Sequence, residues 1–400
     1  MGASIPAQWT AMKHSLGRSA SEHWLDSFAD PALTALVNNA LANNYDLKAA
    51  AARVRAARAQ VRIEGAGRWP QLFFTPGYQR AQVRDAGFGS TQFGAFEALF
   101  GLAWEIDVWG RIEASQRAFR EESEAVAADF RSARLSLAAR TAQSYFELAE
   151  AKLQAEVAEQ SIRERRIIVD LVRGRFARGL TRGLDLRLAL TDLAGAEAQL
   201  AQARNQVQIV TRLLETLLGG YPAGKLIESA DLPEAPRAMA AGLPSEMLER
   251  RPDLVAATQR LRSADSRVES ARKALLPRLT LTGSGGTRSA ALTELVDPRA
   301  AAWNLALGLF QPIFTGGRLK GEIRLNEARA EEAVNQYKNT ALNAFREVEQ
   351  ALAAEEWLRK QEQALLEAVK QTRESRKLAI YSYRHGLIEI LTLLDSYRST

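Results

Sequence analysis

The sequence contains no cysteine among its 400 residues. Disulfide bonds, thiol nucleophiles and cysteine metal sites are therefore excluded. Its three histidines, His14, His23 and His385, form no metal-ligand spacing. The sequence also has no phosphate-binding loop and no cofactor signature, since its glycine pairs are isolated and placed in turns. We therefore expect no cofactor, no metal site and no enzyme activity.

No run of about 18 apolar residues occurs anywhere, which excludes a transmembrane helix. The 53 basic residues are interleaved with 47 acidic ones, so the formal charge of +6 forms no basic block and no nucleic-acid partner is expected. The first residues lack an apolar signal segment, and residues 1–22 are predicted to be irregular and polar. A cytoplasmic chain and a mature form without its signal are both compatible with this start.

The chain is predicted to be one unit written twice, with a constant offset of 207 residues. Four pairs of similar segments share this offset without a gap, which indicates an internal duplication. The second copy is the shorter one, and we expect its last helix to be cut short. The paired segments are 44–50 with 251–257, 69–72 with 276–279, 110–112 with 317–319, and 176–180 with 383–387.

The first repeat, residues 23–220, is predicted to be mainly helical with a small β part. Asp30 and Pro31 provide a start signal for a helix over 31–66, which Trp69-Pro70 ends. Alternating residues then predict strands, and a long stretch without proline predicts a coiled-coil hairpin whose first helix would span about 100 Å. The predicted strands are at about 71–84 and 96–107, followed by the helical hairpin at 111–218.

The second repeat, residues 244–400, follows a linker or equatorial element at 221–243 that is rich in proline, glycine and alanine. Its strands are predicted at about 278–287 and 302–314. A second long helical hairpin begins at 317 and is truncated by the end of the chain. Polar, glycine-rich loops at 84–94 and 285–299 are expected to join the strands of each pair.

Both copies place bulky apolar residues on the same side of their strands, because Phe100 corresponds to Leu307 and Leu102 to Leu309. Two interpretations are open: a half-buried sheet of a soluble protein, or membrane strands that present apolar residues to lipid and small or polar ones to a lumen. Aromatic residues near the strand ends favour membrane strands, where they would form an interfacial belt. These residues are Trp69, Trp104, Trp109 and Trp303.

Four membrane strands cannot stand alone, because open edges inside a bilayer leave backbone groups unpaired. Two chains would supply eight strands, too few for an open lumen, whereas three would supply twelve. The hypothesis is therefore a trimeric 12-stranded β-barrel that the helical hairpins continue as an α-barrel. The alternative is a soluble or periplasmic coiled-coil scaffold or adaptor protein, which would share the long hairpins without needing the strands.

Four segments in order resemble the TolC-like outer-membrane factor family, in particular its OprM-type (NodT-like) lipoprotein branch. The resemblance covers the chain from about Trp24 to Thr400. One departure is the absence of the N-terminal cysteine that this branch uses for lipidation. The segments are WEIDVWGR at 104–111, LPSEMLERRPDL at 243–254, PIFTGGRL at 312–319, and YRHGL at 383–387 followed by LTLLD at 391–395.

The resemblance implies a homotrimeric channel in the outer membrane of a Gram-negative bacterium that extends into the periplasm. It implies a passive exit duct for drugs or other small molecules in a tripartite efflux system. The implied partners are a periplasmic adaptor, an inner-membrane efflux pump of the RND type and outer-membrane lipid. The channel would open and close at its periplasmic helix tips.

The resemblance also implies roles for residues at those tips. Asp185 and Tyr383 match a pair that can hydrogen-bond between neighbouring hairpins and hold the tip closed. Asp395 matches an inward carboxylate at the aperture, and the alternative for it is an ordinary solvated helix carboxylate. The second aspartate position of the family is Thr392 here, which weakens a two-ring aperture. The expected adaptor-docking positions are Gly179, Leu180, Gly386 and Leu387, where plain helix-ending chemistry is the alternative.

Overall fold

The computed structural model describes residues 9–11, 24–85, 89–225, 232 and 244–398. Most of the predicted irregular segment 1–22 and most of the predicted linker 221–243 lie outside these residues. The helices are α1 (Pro31–Asn43), α2 (Tyr45–Ala66), α3 (Arg111–Ala177), α4 (Gly183–Leu217), α5 (Pro244–Arg250), α6 (Pro252–Lys273), α7 (Arg318–Arg384) and α8 (Ile390–Arg398). The strands are β1 (Gln71–Asp85), β2 (Gly89–Ile106), β3 (Arg278–Ser289) and β4 (Ala301–Phe310).

The internal duplication is visible in the bounds of the elements. Helices α3 and α7 have 67 residues each, and both of their ends differ by the same 207 positions. Helices α2 and α6 have 22 residues each and show the same offset at both ends. The sequence offset therefore reflects two structurally equivalent runs of helix, strands and long helix.

The helix predicted over 31–66 is interrupted at Asn44, which is buried. Its side-chain oxygen accepts a hydrogen bond from the backbone N–H of Leu47 at 3.0 Å, so Asn44 caps the start of α2. Its side-chain nitrogen donates to the carbonyl of Leu217 over 3.0 Å. The helix breaks here because one asparagine satisfies backbone groups of two helix ends, a role that helical periodicity does not reveal.

The four strands form one antiparallel sheet in the order β1-β2-β3-β4. The loop expected at 84–94 is mostly strand, because β1 and β2 remain paired as far as Asp85 and Gly89. The loop expected from 285 likewise begins later, since β3 continues to Ser289. The strand predicted over 302–314 ends early, at Phe310, because Gln311 is followed by Pro312, which lacks a backbone donor for the ladder.

The chain divides into two compact units that do not coincide with the sequence repeats. Unit 1 comprises residues 1–49, 132–247 and 343–400, and unit 2 comprises residues 50–131 and 248–342. Unit 2 contains the sheet. Unit 1 contains one core in which Leu33 and Val37 pack with Leu148 and Leu214, and a second core at the hairpin turns.

No described helix is both long enough and apolar enough to cross a lipid bilayer.

Candidate functional site

The two long helices α3 and α7 end in the same hydrogen-bonded turn. Gly179 and Gly386 have φ of +70° and +73°, a left-handed conformation that glycine adopts without steric cost. The next residue in each turn, Leu180 or Leu387, donates to the carbonyl five positions earlier, over 3.0 and 2.9 Å. This is the Schellman arrangement, which satisfies the last carbonyls of a helix. Both leucine side chains are exposed at the tip of their turn.

Arg175 connects the ends of α3 and α7, a role that no sequence motif indicates. Its guanidinium donates to the carbonyls of Tyr383 and Arg384 over 3.3 and 3.2 Å, and it lies 5.2 Å from the centre of the Tyr383 ring. A cation beside the C-terminal carbonyls of a helix is favoured by the helix dipole. Arg175 therefore holds the end of α7 against the last turn of α3.

Tyr383 and Asp185 lie at this same end of unit 1. The Asp185 carboxylate accepts hydrogen bonds from the Thr181 hydroxyl and from the backbone N–H of Arg182, the latter at 3.2 Å. The Tyr383 hydroxyl is buried and has no hydrogen-bond partner among the described residues. Burial raises the pKa of Tyr383, Asp185 adds to the rise, and Thr181 and Arg175 oppose it. The hydroxyl is thus a neutral donor within electrostatic range of the Asp185 side chain.

Helix α8 is amphipathic, with one face in the core at the turns. Ile390, Leu393 and Leu394 are buried in that core. Thr392 and Asp395 are both exposed, and their spacing of three residues places them on one side of the helix. The family position taken by Thr392 therefore shares an exposed helix face with Asp395.

Asp192 in α4 is a buried carboxylate, with its side chain 6% exposed. One oxygen accepts from Arg165 Nε at 2.8 Å, and the other from Arg398 Nε at 2.9 Å. Arg165 belongs to α3 and Arg398 to the end of α8. A carboxylate neutralised from both sides can remain charged when buried, so Asp192 fastens α8 to the first hairpin.

A second ion pair joins the two hairpins through their long helices. Arg376 Nη1 of α7 lies 2.5 Å from Glu164 Oε2 of α3. The same guanidinium lies 5.4 Å from the ring centre of Tyr397 in α8. Burial raises the pKa of Tyr397. These three ion pairs and the tyrosine tie α3, α4, α7 and α8 together near the turns.

The sheet of unit 2 has two chemically different faces. The apolar face carries the even-numbered residues of β1 and β2 and the odd-numbered residues of β3 and β4; the polar face carries the others. In one row of the apolar face, Leu72 pairs with Leu102, Leu102 with Gly283, and Gly283 with Leu305. Leu72 is 76% exposed and Leu309 71% exposed. A contiguous apolar surface of this kind marks an interaction site for lipid or protein.

Two of the four predicted interface tryptophans hydrogen-bond to backbone at the helix end of the sheet. Trp104 Nε1 donates to the Arg68 carbonyl over 3.0 Å, and Trp109 Nε1 donates to the Pro277 carbonyl over 2.7 Å. Trp69 is exposed at the same end. Trp303 is 82% exposed on the apolar face, nearer the other end of β4. Trp104 and Trp109 thus lie at the helix end of the sheet with their indole N–H groups satisfied, as aromatic residues of a membrane interface do.

A second aromatic border was missed from the sequence. Tyr78 pairs with Phe96 on the apolar face, with 4.5 Å between the ring centres. Phe96 precedes Trp104 by eight residues of β2, which corresponds to about 27 Å along the strand. Beyond this pair the face turns polar, because Arg80 hydrogen-bonds to Gln92. Strands of membrane barrels are tilted by about 35–45°, so this length spans about 20 Å of height, somewhat less than the apolar band of about 25 Å in such barrels. The apolar band has aromatic residues at both limits.

The polar face carries small residues and internal ion pairs. Arg288 lies 3.0 Å from Glu97, and the Ser284 hydroxyl donates to the Asn304 side chain over 3.2 Å. A sheet whose two sides differ in this way separates an apolar phase from an aqueous one.

Comparison with known proteins identifies the family to which a chain with these features belongs. The family model for outer membrane efflux proteins matches residues 36–220 and 243–399. The chain belongs to the outer membrane efflux protein family. Outer membrane protein OprJ of Pseudomonas aeruginosa is 35% identical over 383 residues, which cover 94% of this chain and 80% of OprJ. The pyoverdine export outer membrane protein OpmQ of Pseudomonas putida is 34% identical, over 100% of this chain and 87% of OpmQ.

The fold agrees as well. The solved outer-membrane channel OprN superposes with a TM-score of 0.92 at 27% identity, covering 99% of this chain and 90% of that one. This outer membrane efflux protein is thus a channel component of the outer membrane and not an enzyme. The alternative of a soluble coiled-coil scaffold or adaptor is thereby set aside. The resemblance to TolC-like factors predicted from four segments is confirmed.

Proposed function

We propose that three copies of this chain close into a 12-stranded barrel in the outer membrane and form one exit duct. The observation that carries the proposal is the exposed apolar face between two aromatic borders. Strands β1 and β4 are the outer strands of the sheet, and each has one edge without a strand partner in the described part of the chain. Pairing β4 of one copy with β1 of the next would satisfy both edges.

In this assembly the apolar face contacts outer-membrane lipid, and the polar face lines an aqueous lumen for small-molecule cargo. The duct performs no chemistry. An inner-membrane pump, expected to be of the RND type, supplies energy, and a periplasmic adaptor joins the pump to the duct. Because the channel itself only has to conduct, we expect it to be permissive toward cargo.

A pair of neighbouring substitutions tests the closure. Leu307 lies on the apolar face of β4, and Ala306 beside it lies on the polar face. Leu307→Arg places a charge against lipid, which costs about 2–4 kcal/mol near the bilayer midplane. We expect this variant to lose membrane insertion and the trimer seen in cross-linked detergent extracts, while Ala306→Arg retains both. Equal insertion of the two variants would contradict the proposal.

The turns at the ends of α3 and α7 are proposed as the docking positions of the adaptor. Leu180 and Leu387 are exposed there, each held by the glycine before it. An exposed leucine on a rigid turn is a suitable anchor for a matching apolar socket. A photo-cross-linking residue at 387 should capture the adaptor in intact cells, whereas one at Lys338, in the same helix far from the turn, should not.

The aperture is proposed to close through contacts near Tyr383 and to select cations through Asp395. The neutral hydroxyl of Tyr383 can donate to Asp185 of a neighbouring hairpin. Three copies of Asp395 around the axis would form a ring that attracts cations, and Thr392 adds no charge to it. The ion pairs of Asp192 and Glu164 support this arrangement because they hold α8 and α7 in place.

A further inference from the structure

Phe73 is a large aromatic residue in the middle of the polar face. It pairs with Gly101 of β2, and the row continues through Ser284 of β3 to Asn304 of β4. The neighbouring row on the helix side contains Gln71, with Ala103 opposite it. In these two rows the phenyl ring is therefore set among glycine, serine, asparagine and alanine, and the row on its other side pairs Thr75 with Leu99.

The ring lies flat over Gly101. A Cβ atom built on Gly101 would be 2.1 Å from Cε2 of Phe73 and 2.3 Å from its Cζ, so any other residue at 101 would force the ring to leave this position. Glycine inside a strand weakens the strand, because it costs chain entropy and contributes no packing. The Phe73 ring therefore occupies the space that a side chain at position 101 would otherwise fill.

Four strand rings on the apolar face behave differently. Phe74 stacks on Phe100 at 4.8 Å and Tyr78 on Phe96 at 4.5 Å, all four on the apolar face. Phe73 has no aromatic contact of this kind among the described residues, and its side chain remains 52% exposed. One face of the phenyl ring rests on backbone, and the other is open to whatever passes along the polar face.

We propose that Phe73 is a cargo-contact residue inside the lumen, where it binds apolar or aromatic solutes transiently. The proposal rests on the barrel closure proposed above, which places three copies of the ring at one level of the duct. A flat phenyl ring stacks on aromatic solutes and attracts cations over its face, and neither interaction needs a specific shape. Such a contact favours amphiphilic aromatic cations over small polar solutes while leaving the duct permissive.

These 400 residues contain no cysteine, which makes a labelling test direct. Single variants Phe73→Cys and Phe74→Cys differ by one position, and both native side chains are about half exposed in the single chain, at 52% and 54%. In proteoliposomes treated with a charged, membrane-impermeant methanethiosulfonate reagent, we expect Cys at 73 to react and Cys at 74 to be protected by lipid. Equal rates at both positions would overturn the barrel closure itself.

The cargo contact is tested one row away, on the same face, with Thr75→Cys as reporter. Rhodamine 6G, an aromatic cation, should slow labelling at 75 when Phe73 is present. Adding Phe73→Ala should weaken this protection about two- to tenfold, the range expected for one aromatic pair. Phe73→Trp should retain it, and Phe74→Ala should leave it unchanged. Protection that is the same with and without the ring would overturn the role of Phe73 and leave the closure standing.

Discussion

Arg398 Nε at the end of α8 lies 2.9 Å from Oδ1 of Asp192 in α4. The other oxygen of this carboxylate is already bound by Arg165, whose side chain is 9% exposed. The pair is asymmetric, since Arg398 is 59% exposed whereas Asp192 is buried. Removing Asp192 and removing Arg398 should therefore lower the free energy of unfolding by different amounts.

Asp192→Ala leaves Arg165 buried without a counterion, which costs about 3–5 kcal/mol. Arg398→Ala removes a solvent-exposed partner and should cost only about 0.2–1 kcal/mol. Denaturant unfolding of the detergent-solubilised protein, compared at equal concentration, measures both. Because Asp192→Ala removes the buried carboxylate that fastens α8 while Arg398→Ala removes one exposed contact, the first variant should raise the basal conductance in a planar bilayer more than the second. Equal stabilities for the two variants would show that buried Arg165 does not need Asp192 as its counterion.

Tyr383→Phe tests the closing contact at the tip. The substitution removes a hydroxyl that has no partner among the described residues, so the single chain should not lose stability. If the hydroxyl donates to Asp185 of a neighbouring hairpin in the trimer, single-channel conductance should increase. Unchanged conductance would remove Tyr383 from the closing mechanism.

Alkaline pH should weaken the tip in a way that depends on two tyrosines. Burial raises the pKa of Tyr383 and of Tyr397 above the ordinary value of 10.0. Their stabilising contribution is complete below pH 10 and is lost as the pH rises through the higher folded-state pKa. The wild-type protein should therefore lose unfolding free energy above pH 10, and the double variant Tyr383→Phe, Tyr397→Phe should lose less. Parallel stability curves for the two proteins would contradict this assignment.

Asp395→Asn tests the proposed aperture ring. The substitution keeps the size of the side chain and removes its charge, so cation selectivity should fall, as measured by the reversal potential in a salt gradient. The same change at Asp170, an exposed residue of α3, is the control and should leave selectivity unaltered. If neither changes it, Asp395 is a solvated helix carboxylate.

Gly174, in the last turns of α3, is a matched control for Gly179, which lies in the turn just after this helix. Gly179 has φ of +70°, so Gly179→Ala should cost about 1 kcal/mol and reduce adaptor cross-linking. Gly174 lies within the helix, and an added Cβ would meet nothing within 4 Å, so Gly174→Ala should stabilise the helix by up to about 1 kcal/mol. A lower thermal unfolding midpoint for Gly179→Ala together with a higher one for Gly174→Ala supports the turn assignment. A lower midpoint for both variants would contradict it.

The repeating parts of the fold were accessible from the sequence because their signals are local and occur twice. The helix-ending glycines 179 and 386 mark both turns, and alternation marks both strand pairs with the correct face. Strand length was less predictable. The residues beside the β1–β2 turn are polar and resemble a loop, yet ladder pairing extends to Asp85 and Gly89.

The contacts that organise the tip were not predictable in the same way. Arg175 and Tyr383 are 208 positions apart, and Asp192 and Arg398 are 206 apart. Each of these residues is an ordinary charged or aromatic helix residue by composition. Only the packing of four helices around one core makes Asp192 a shared counterion and Arg175 a cap for α7.

The equal lengths of α3 and α7 have a consequence for symmetry. Because both helices end in the same glycine–leucine turn, a threefold assembly would present six turns of nearly the same shape, alternating between two sequences. A partner with six similar binding elements could then engage a three-chain duct without a symmetry mismatch. Because each chain carries the turn twice, the periplasmic end would have approximate sixfold symmetry although the assembly has only three chains.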